Sequence, residues 1–293
     1  MTILTEQKNE NTINIDLMSS FEIAQAINRE DQKVAIAVQK ELEPIGKAID
    51  LITAAFLKGG RLAYFGAGTS GRIGVLDASE CVPTFSVAPD MVQGFIAGGD
   101  KALRHSVENA EDSAELALKD LAVFKPTKKD VVVGISASGN PKYVLTVLEQ
   151  AQKLGAHTIG VTSNKEAKLK EFSDVVICPV VGQEAITGSS RMKSGTAQKM
   201  VLNMLSTGAM IKIGKVYQNY MIDVKVSNEK LCERACRFIS EICHVDSDEA
   251  LKLLSESGMS VKTACVMKLK NCTKTEAEKM LASVHGVLRK VID

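Results

Sequence analysis

Two short loops rich in glycine and hydroxyl side chains are the first residues of this chain that could do chemistry. Gly66-Ala67-Gly68-Thr69-Ser70-Gly71 follows the run Arg61 to Phe65, and Ser136-Ala137-Ser138-Gly139-Asn140 follows Val131 to Ile135. Glycine lets the backbone approach an anion, exposed N–H groups and hydroxyls donate to it, and a following helix N-terminus adds a favourable dipole. Gly68, Thr69 and Ser70 in the first loop, with Ser136, Ser138, Gly139 and Asn140 in the second, are therefore candidate ligands for a phosphate. Two such loops, each at the carboxyl end of an apolar run, point to one phosphorylated ligand held in the crevice of a doubly wound sheet.

A third segment, Thr187-Gly188-Ser189-Ser190-Arg191-Met192-Lys193-Ser194-Gly195-Thr196, puts hydroxyls, an arginine and a lysine at the expected start of a long helix. Ser189, Ser190 and Lys193 join the candidate set on that ground, against the plainer reading of a polar helix cap with solvated charges. Glu80 lies just past the first loop, in Asp77-Ala78-Ser79-Glu80-Cys81, and Glu111 lies in Glu108-Asn109-Ala110-Glu111-Asp112, early in a later expected helix. Spacing does not bring these two carboxylates together, and a first-turn glutamate commonly does no more than complement the helix dipole. His105 reads as a surface or packing histidine. The chain has no nucleophile elbow, no His-Glu-x-x-His and no Walker lysine after the loops. The first loop has the form G-x-G-x-x-G, yet no acidic residue closes a second strand at the required spacing, which leaves dinucleotide binding the weaker reading.

The elements that must position these residues follow from the hydrophobic pattern. The first sixty residues carry helical periodicity and no evident chemistry. Ser20 is expected to cap a short helix over Phe21 to Asn28, and Asp31 to precede a longer one through Ile52, stopped by Gly59-Gly60. Strands are then expected at Leu62 to Phe65, Val92 to Ala97, Asp130 to Ile135, His157 to Thr162 and Asp174 to Pro179. Helices are expected from Gly71, over Asn109 to Leu121, and over Pro141 to Leu154. Short apolar runs alternating with helices imply an α/β protein with a doubly wound, mostly parallel, five-stranded sheet covered on both faces. A long helix over Ser189 to Ile213 ends this region. Short helices alone follow: Glu229 to Cys243, Ser247 to Ser255, Ser260 to Leu269, Lys274 to Leu281 and Ser283 to Ile292. The expected division is 1–227 for the sheet domain and 228–293 for a small all-helical domain, whose last three helices faintly resemble ubiquitin-associated bundles.

Composition limits the partners. A chain of 293 residues can bury a substantial core, and 45% hydrophobic with 24% charged residues is the profile of a globular protein. A formal net charge of +1 gives no electrostatic case for nucleic acid or a membrane surface. No run reaches the roughly 18 to 20 apolar residues of a membrane span, and Met1 to Asn11 is polar, so a cytoplasmic setting is expected. Seven cysteines without secretory context read as reduced thiols. Cys232, Cys236 and Cys243 recur at helical spacing, which a buried helix stripe explains better than zinc, so no metal is expected.

Several of these motifs, in this order, resemble those of N-acetylmuramic acid 6-phosphate etherases over nearly the whole chain. They are Gly66 to Arg72 running into Leu76-Asp77-Ala78-Ser79-Glu80-Cys81, Ile96-Ala97-Gly98-Gly99, Glu108 to Ser113, and Thr187 to Lys193 through Gln198-Lys199. The resemblance implies the sugar isomerase (SIS) fold and cleavage of the lactyl ether of N-acetylmuramate 6-phosphate, giving N-acetylglucosamine 6-phosphate and D-lactate in the bacterial recycling of cell-wall amino sugars. It also implies that Glu80 and Glu111 are the two active-site carboxylates, with no cofactor. One carboxyl group must then stay protonated near neutral pH, so burial or mutual repulsion is expected for one of them. Glu80 is assigned the acid and Glu111 the base. Etherases commonly read Ser-Gly-Arg-Thr-Pro-Tyr where this chain reads Ser138-Gly139-Asn140-Pro141-Lys142-Tyr143. The arginine fork is lost there, and a lysine two residues later, Lys142, need not replace its geometry.

Two other readings stay open on sequence. Glucokinase regulatory proteins share the Gly-Ser-[Ser/Thr]-Arg-[Leu/Met]-Lys region, but they are longer chains built around two SIS units. A sugar-phosphate isomerase of the same fold would also use a carboxylate beside a ring-opened sugar. A chain with one SIS unit is expected to complete its crevice from a second copy, as a homodimer.

Overall fold

The computed structural model describes residues 4–224, 226 and 228–293. Three 3₁₀ turns lead into α1 (Ser20–Gln39) and α2 (Leu42–Leu57), and the sheet then begins. Its strands are β1 (Leu62–Gly66), β2 (Val92–Ile96), β3 (Val131–Ile135), β4 (His157–Val161) and β5 (Val175–Ile177). Between them lie α3 (Gly68–Phe85), α4 (Lys101–Arg104), α5 (Ala114–Phe124) and α6 (Lys142–Lys153), and α7 (Lys193–Lys212) follows β5. The short helices α8 (Glu229–Cys243), α9 (Ser247–Glu256), α10 (Val261–Lys270), α11 (Lys274–Ser283) and α12 (Arg289–Ile292) complete the chain.

All four strand pairings are parallel, and the spatial order is β2-β1-β3-β4-β5. Every residue of β1 and β3 is buried, as strands covered by helices on both faces require. One face packs Ala63, Phe65 and Val132 against Leu121 and Phe124 of α5 and Val144, Val147 and Leu148 of α6. At the amino edge, the Asp130 carboxylate accepts from the Arg61 backbone N–H at 2.8 Å, from the Arg61 guanidinium, and from the backbone N–H and hydroxyl of Thr127. These bonds tie β1 to β3 in register, with Gly66 opposite Ile135 at the carboxyl ends. In a 2-1-3-4-5 order, the strand connections reverse between β1 and β3. The crevice above that switch point is where ligands of doubly wound sheets bind, and both hydroxyl-rich loops leave the sheet there.

The helices differ from expectation in several places, one being that the run expected from Asp31 through Ile52 breaks at Lys40 and Glu41 between α1 and α2. α1 is a single helix through Asp31, capped by Ser19, whose side chain and Glu22 form a capping box. Its buried residues Ala26, Glu30, Val34, Ala37 and Val38 form an uninterrupted stripe, and a charged residue at one core position is what made the apolar pattern look broken. The helix expected over Asn109 to Leu121 is a left-handed Asn109, a 3₁₀ turn at Ala110–Asp112, and α5 starting at its Ser113 cap. The last expected helix is shortened to Arg289–Ile292, because His285 and Gly286 both adopt positive φ and turn the chain.

Contacts divide the chain into two compact units. The larger holds the residues through Ser79 with Asp90–Ser206, and the smaller holds Glu80–Pro89 with Thr207–Asp293. The boundary expected at 227 falls on a residue outside those described. The smaller unit draws Tyr217, Ile222 and Val224 into a core with Phe238, Ile239, Leu254 and Val266, and Cys232 and Cys236 pack against it.

Candidate active site

The two loops use different means to present donors. After β1 only Ala67 separates the strand from α3, so Gly68, Thr69 and Ser70 form the first turn of a helix, whose N–H groups have no intrahelical acceptors. The approach is tight: a Cβ on Gly66 would lie 2.7 Å from the Gly71 nitrogen. The second loop is fixed by its own hydroxyls. Ser136 Oγ accepts from the Gly139 N–H at 3.0 Å and lies 3.4 Å from Ser138 Oγ. Asn164 donates through Nδ2 to the Ser138 carbonyl at 2.9 Å, and the Thr162 hydroxyl donates to the Ala137 carbonyl at 3.1 Å.

Together the loops line a crevice of about 300 Å³, with Gly68, Thr69, Ser70, Ser136 and Ser138 on its wall alongside Ser190, Pro141 and Glu111. Glu111 also lines an adjoining crevice of about 270 Å³ with Arg72, Ser106, Glu108 and Asn109. Glu111, on the 3₁₀ turn that Asn109 starts, thus borders both spaces. A wall of hydroxyls and N–H groups bordered by carboxylates can hold a phosphate at one end and move a proton at the other.

Five of the candidates do not line the phosphate-type crevice. Gly139 and Asn140 support it from behind: Gly139 has φ +70° and sits where a Cβ would approach the Ala167 methyl to 2.3 Å. Asn140 Oδ1 accepts from the Lys168 N–H at 3.1 Å. Asn140 thus pins the second loop to the segment after β4. Ser189 precedes Ser190 without reaching the wall. Lys193 is turned into the interior, 1% exposed, with its ammonium 2.7 Å from Glu30 Oε2. The expected anion site at the start of this helix is likewise filled from within. The buried Glu184 carboxylate accepts from the Lys193 N–H at 2.8 Å, the Ser194 N–H at 2.9 Å and the Ser194 hydroxyl at 2.8 Å.

Glu80 is the fifth. It lies on α3 twelve residues beyond Gly68, which at a rise of 1.5 Å per residue is about 18 Å along the axis from the loop. Glu80 and Glu111 are both exposed, so burial within one chain, expected for one of them, is absent. Two residues that sequence reasoning passed over do line the crevice: Thr5 and Glu6, from a stretch read as free of chemistry. Nothing local marks them, because a backbone hydrogen bond from Gly188 N–H to the Thr5 carbonyl, 183 positions away, puts them there.

The switch-point crevice and all-parallel sheet define an SIS-domain protein: the SIS domain model matches residues 106–208, the N-terminal SIS domain of glucokinase regulatory protein residues 44–152, and the C-terminal lid domain of that protein residues 218–262. A phosphoheptose isomerase from Neisseria gonorrhoeae has the same fold, with a TM-score of 0.50 over 64% of this chain and 97% of its own at 17% identity. Much closer in sequence are N-acetylmuramic acid 6-phosphate etherases. That of Actinobacillus pleuropneumoniae serotype 5b is 49% identical over 290 residues, covering 99% of this chain and 95% of the relative, and that of Clostridium botulinum strain Hall is 51% identical with 99% and 96% covered. The chain belongs to the N-acetylmuramic acid 6-phosphate etherase family.

Proposed function

We propose that this protein cleaves the D-lactyl ether of N-acetylmuramic acid 6-phosphate, giving N-acetylglucosamine 6-phosphate and D-lactate. The observation that carries this reading is about 50% identity to etherases over 99% of the chain. The hydroxyl-lined crevice at the sheet switch point supports it. The rival reading as a regulatory binding protein is not favoured, since the etherase relatives are matched over 95% and 96% of their own length.

The chemistry needs two carboxyl groups and no metal. Opening the sugar ring exposes an aldehyde at C1, which acidifies the proton on C2. A carboxylate takes that proton, the C2 electron pair forms the C2–C3 double bond, and the C3–O bond breaks as a carboxylic acid protonates the departing lactyl oxygen. Water then adds at C3 of the unsaturated aldehyde, and the C2 proton is restored. This makes the enzyme a carbon–oxygen lyase of hydro-lyase type with net hydrolysis of the ether. Each general acid or base of this kind is worth roughly 10² to 10⁴-fold in rate.

In our assignment Ser70, Ser136, Ser138 and Ser190, with the first-turn N–H groups of α3, hold the phosphate, and Glu111 is the base. Glu80 is the acid and later activates water. Because Glu80 stands about 18 Å along α3 from the phosphate loop, the Glu80 that completes each site comes from the second copy in a homodimer. A sugar phosphate and a second copy of the chain are then the partners, and the cytoplasm is the setting. No helix among the described residues is long and apolar enough to cross a membrane. The test is D-lactate release from N-acetylmuramic acid 6-phosphate, followed beside ketose formation from hexose phosphates. Wild-type protein should release lactate, and Glu80→Gln should abolish release while still binding inorganic phosphate. Ketose formation without lactate, or near-normal turnover of the variant, would overturn the assignment.

A further inference from the structure

Within one chain, the crevice is lined by two carboxylates, and the second is Glu6. Its presence needs a reason, because a carboxylate beside a phosphate is repelled by it, and the surrounding hydroxyls are otherwise suited to an anion. The segment that carries it is held in place. Gly188 N–H donates to the Thr5 carbonyl at 3.0 Å, Asn9 Nδ2 to the Gln183 carbonyl at 3.2 Å, and the Thr12 hydroxyl to the Ala185 carbonyl at 2.8 Å. Thr5, Asn9 and Thr12 are all buried. The strap is therefore bonded to the same 183–188 stretch that delivers Ser190 to the crevice. The site also makes room for the carboxylate. Gly188 has φ +75°, and a Cβ there would come within 2.9 Å of Glu6 Oε2.

We propose that Glu6 is a sugar-binding residue, whose carboxylate accepts a hydrogen bond from a hydroxyl or amide N–H of the sugar chain next to the phosphate. Resting on the function proposed above, this adds a determinant that separates a sugar phosphate from phosphate alone. A carboxylate acceptor also disfavours a ligand that brings a second anionic group to that point, so it sets which way round the sugar lies. A hydrogen bond to a charged group corresponds to roughly a ten- to hundredfold difference in affinity.

Calorimetric titration of wild type, Glu6→Ala and Glu6→Gln with inorganic phosphate and with N-acetylglucosamine 6-phosphate tests this. Glu6→Ala should bind the sugar phosphate about ten- to a hundredfold more weakly and inorganic phosphate as tightly as wild type or more tightly, since a repelling charge is removed, with Glu6→Gln between it and wild type for the sugar phosphate because the amide oxygen still accepts. Glu6 is exposed, and a thermal melt of each variant should match wild type. Equal affinity of wild type and Glu6→Ala for the sugar phosphate would overturn the proposal, as would an equal loss for both ligands. A wild-type protein that releases no lactate would sink the etherase reading, yet the two titrations would still decide the role of Glu6.

Discussion

Replacing Lys193 by methionine separates a lysine that binds substrate from one that holds the fold together. Its ammonium lies 2.7 Å from Glu30 Oε2, with the two side chains 1% and 3% exposed. Losing one partner of such a buried pair strands the other charge, at a typical cost of about 3–5 kcal/mol. Here Glu30 keeps the Lys33 ammonium at 2.5 Å and Asn11 Nδ2 at 3.0 Å, both on Oε1, which places the cost at the lower end, about 3 kcal/mol. For a unit of this size, that corresponds to a fall in melting temperature of roughly 6–12 °C. Differential scanning calorimetry measures it, and the KM for the sugar phosphate should stay within about twofold at a temperature where the variant is folded. The pH dependence gives a second reading. Burial pushes the Glu30 carboxyl up, but hydrogen bonds from Lys193 and Lys33 outweigh it and hold it at about 2 against an ordinary 4.5. A depressed carboxyl contributes its stability in full above about 4.5 and loses it as the pH falls toward about 2, so the variant should show a shallower decline across that window. An unchanged melting temperature with KM raised tenfold or more would refute this reasoning and return Lys193 to the substrate.

Other perturbations address the loops and the second copy. Co-refolded Glu80→Gln and Glu111→Gln chains should recover about a quarter of wild-type lactate release if each site draws on both copies, since half of the randomly mixed dimers would carry one intact site. Recovery near zero would place both glutamates in one chain. Gly139→Ala should lower affinity for inorganic phosphate and destabilise the protein, because φ +70° and a 2.3 Å approach to the Ala167 methyl leave no space for the side chain. Wild-type phosphate binding in that variant would show that the second loop tolerates displacement.

The chemical alphabet of the site was legible in the order of residues. Loops that follow fully buried strands directly are forced to the sheet edge, and glycine and serine there leave few roles besides holding an anion, so Gly68, Thr69, Ser70, Ser136 and Ser138 could be named before any coordinates. The five strands were equally legible, because apolar runs too short for buried helices alternate with amphipathic ones. Tertiary structure decided whatever depended on distant pairings. Lys193 sits in a segment whose composition suits an anion, yet the buried Glu30 claims its ammonium and Glu184, which lies before that segment, fills the helix start. Thr5 and Glu6 are ordinary polar residues until Gly188 holds them at the crevice. Sequence could pair Glu80 with Glu111 only by likeness, and the length of α3 then separates Glu80 from the phosphate loop of its own chain. Local residue type fixes what a side chain can do, while long-range packing determines whether its charge is spent inside the fold or left for a ligand.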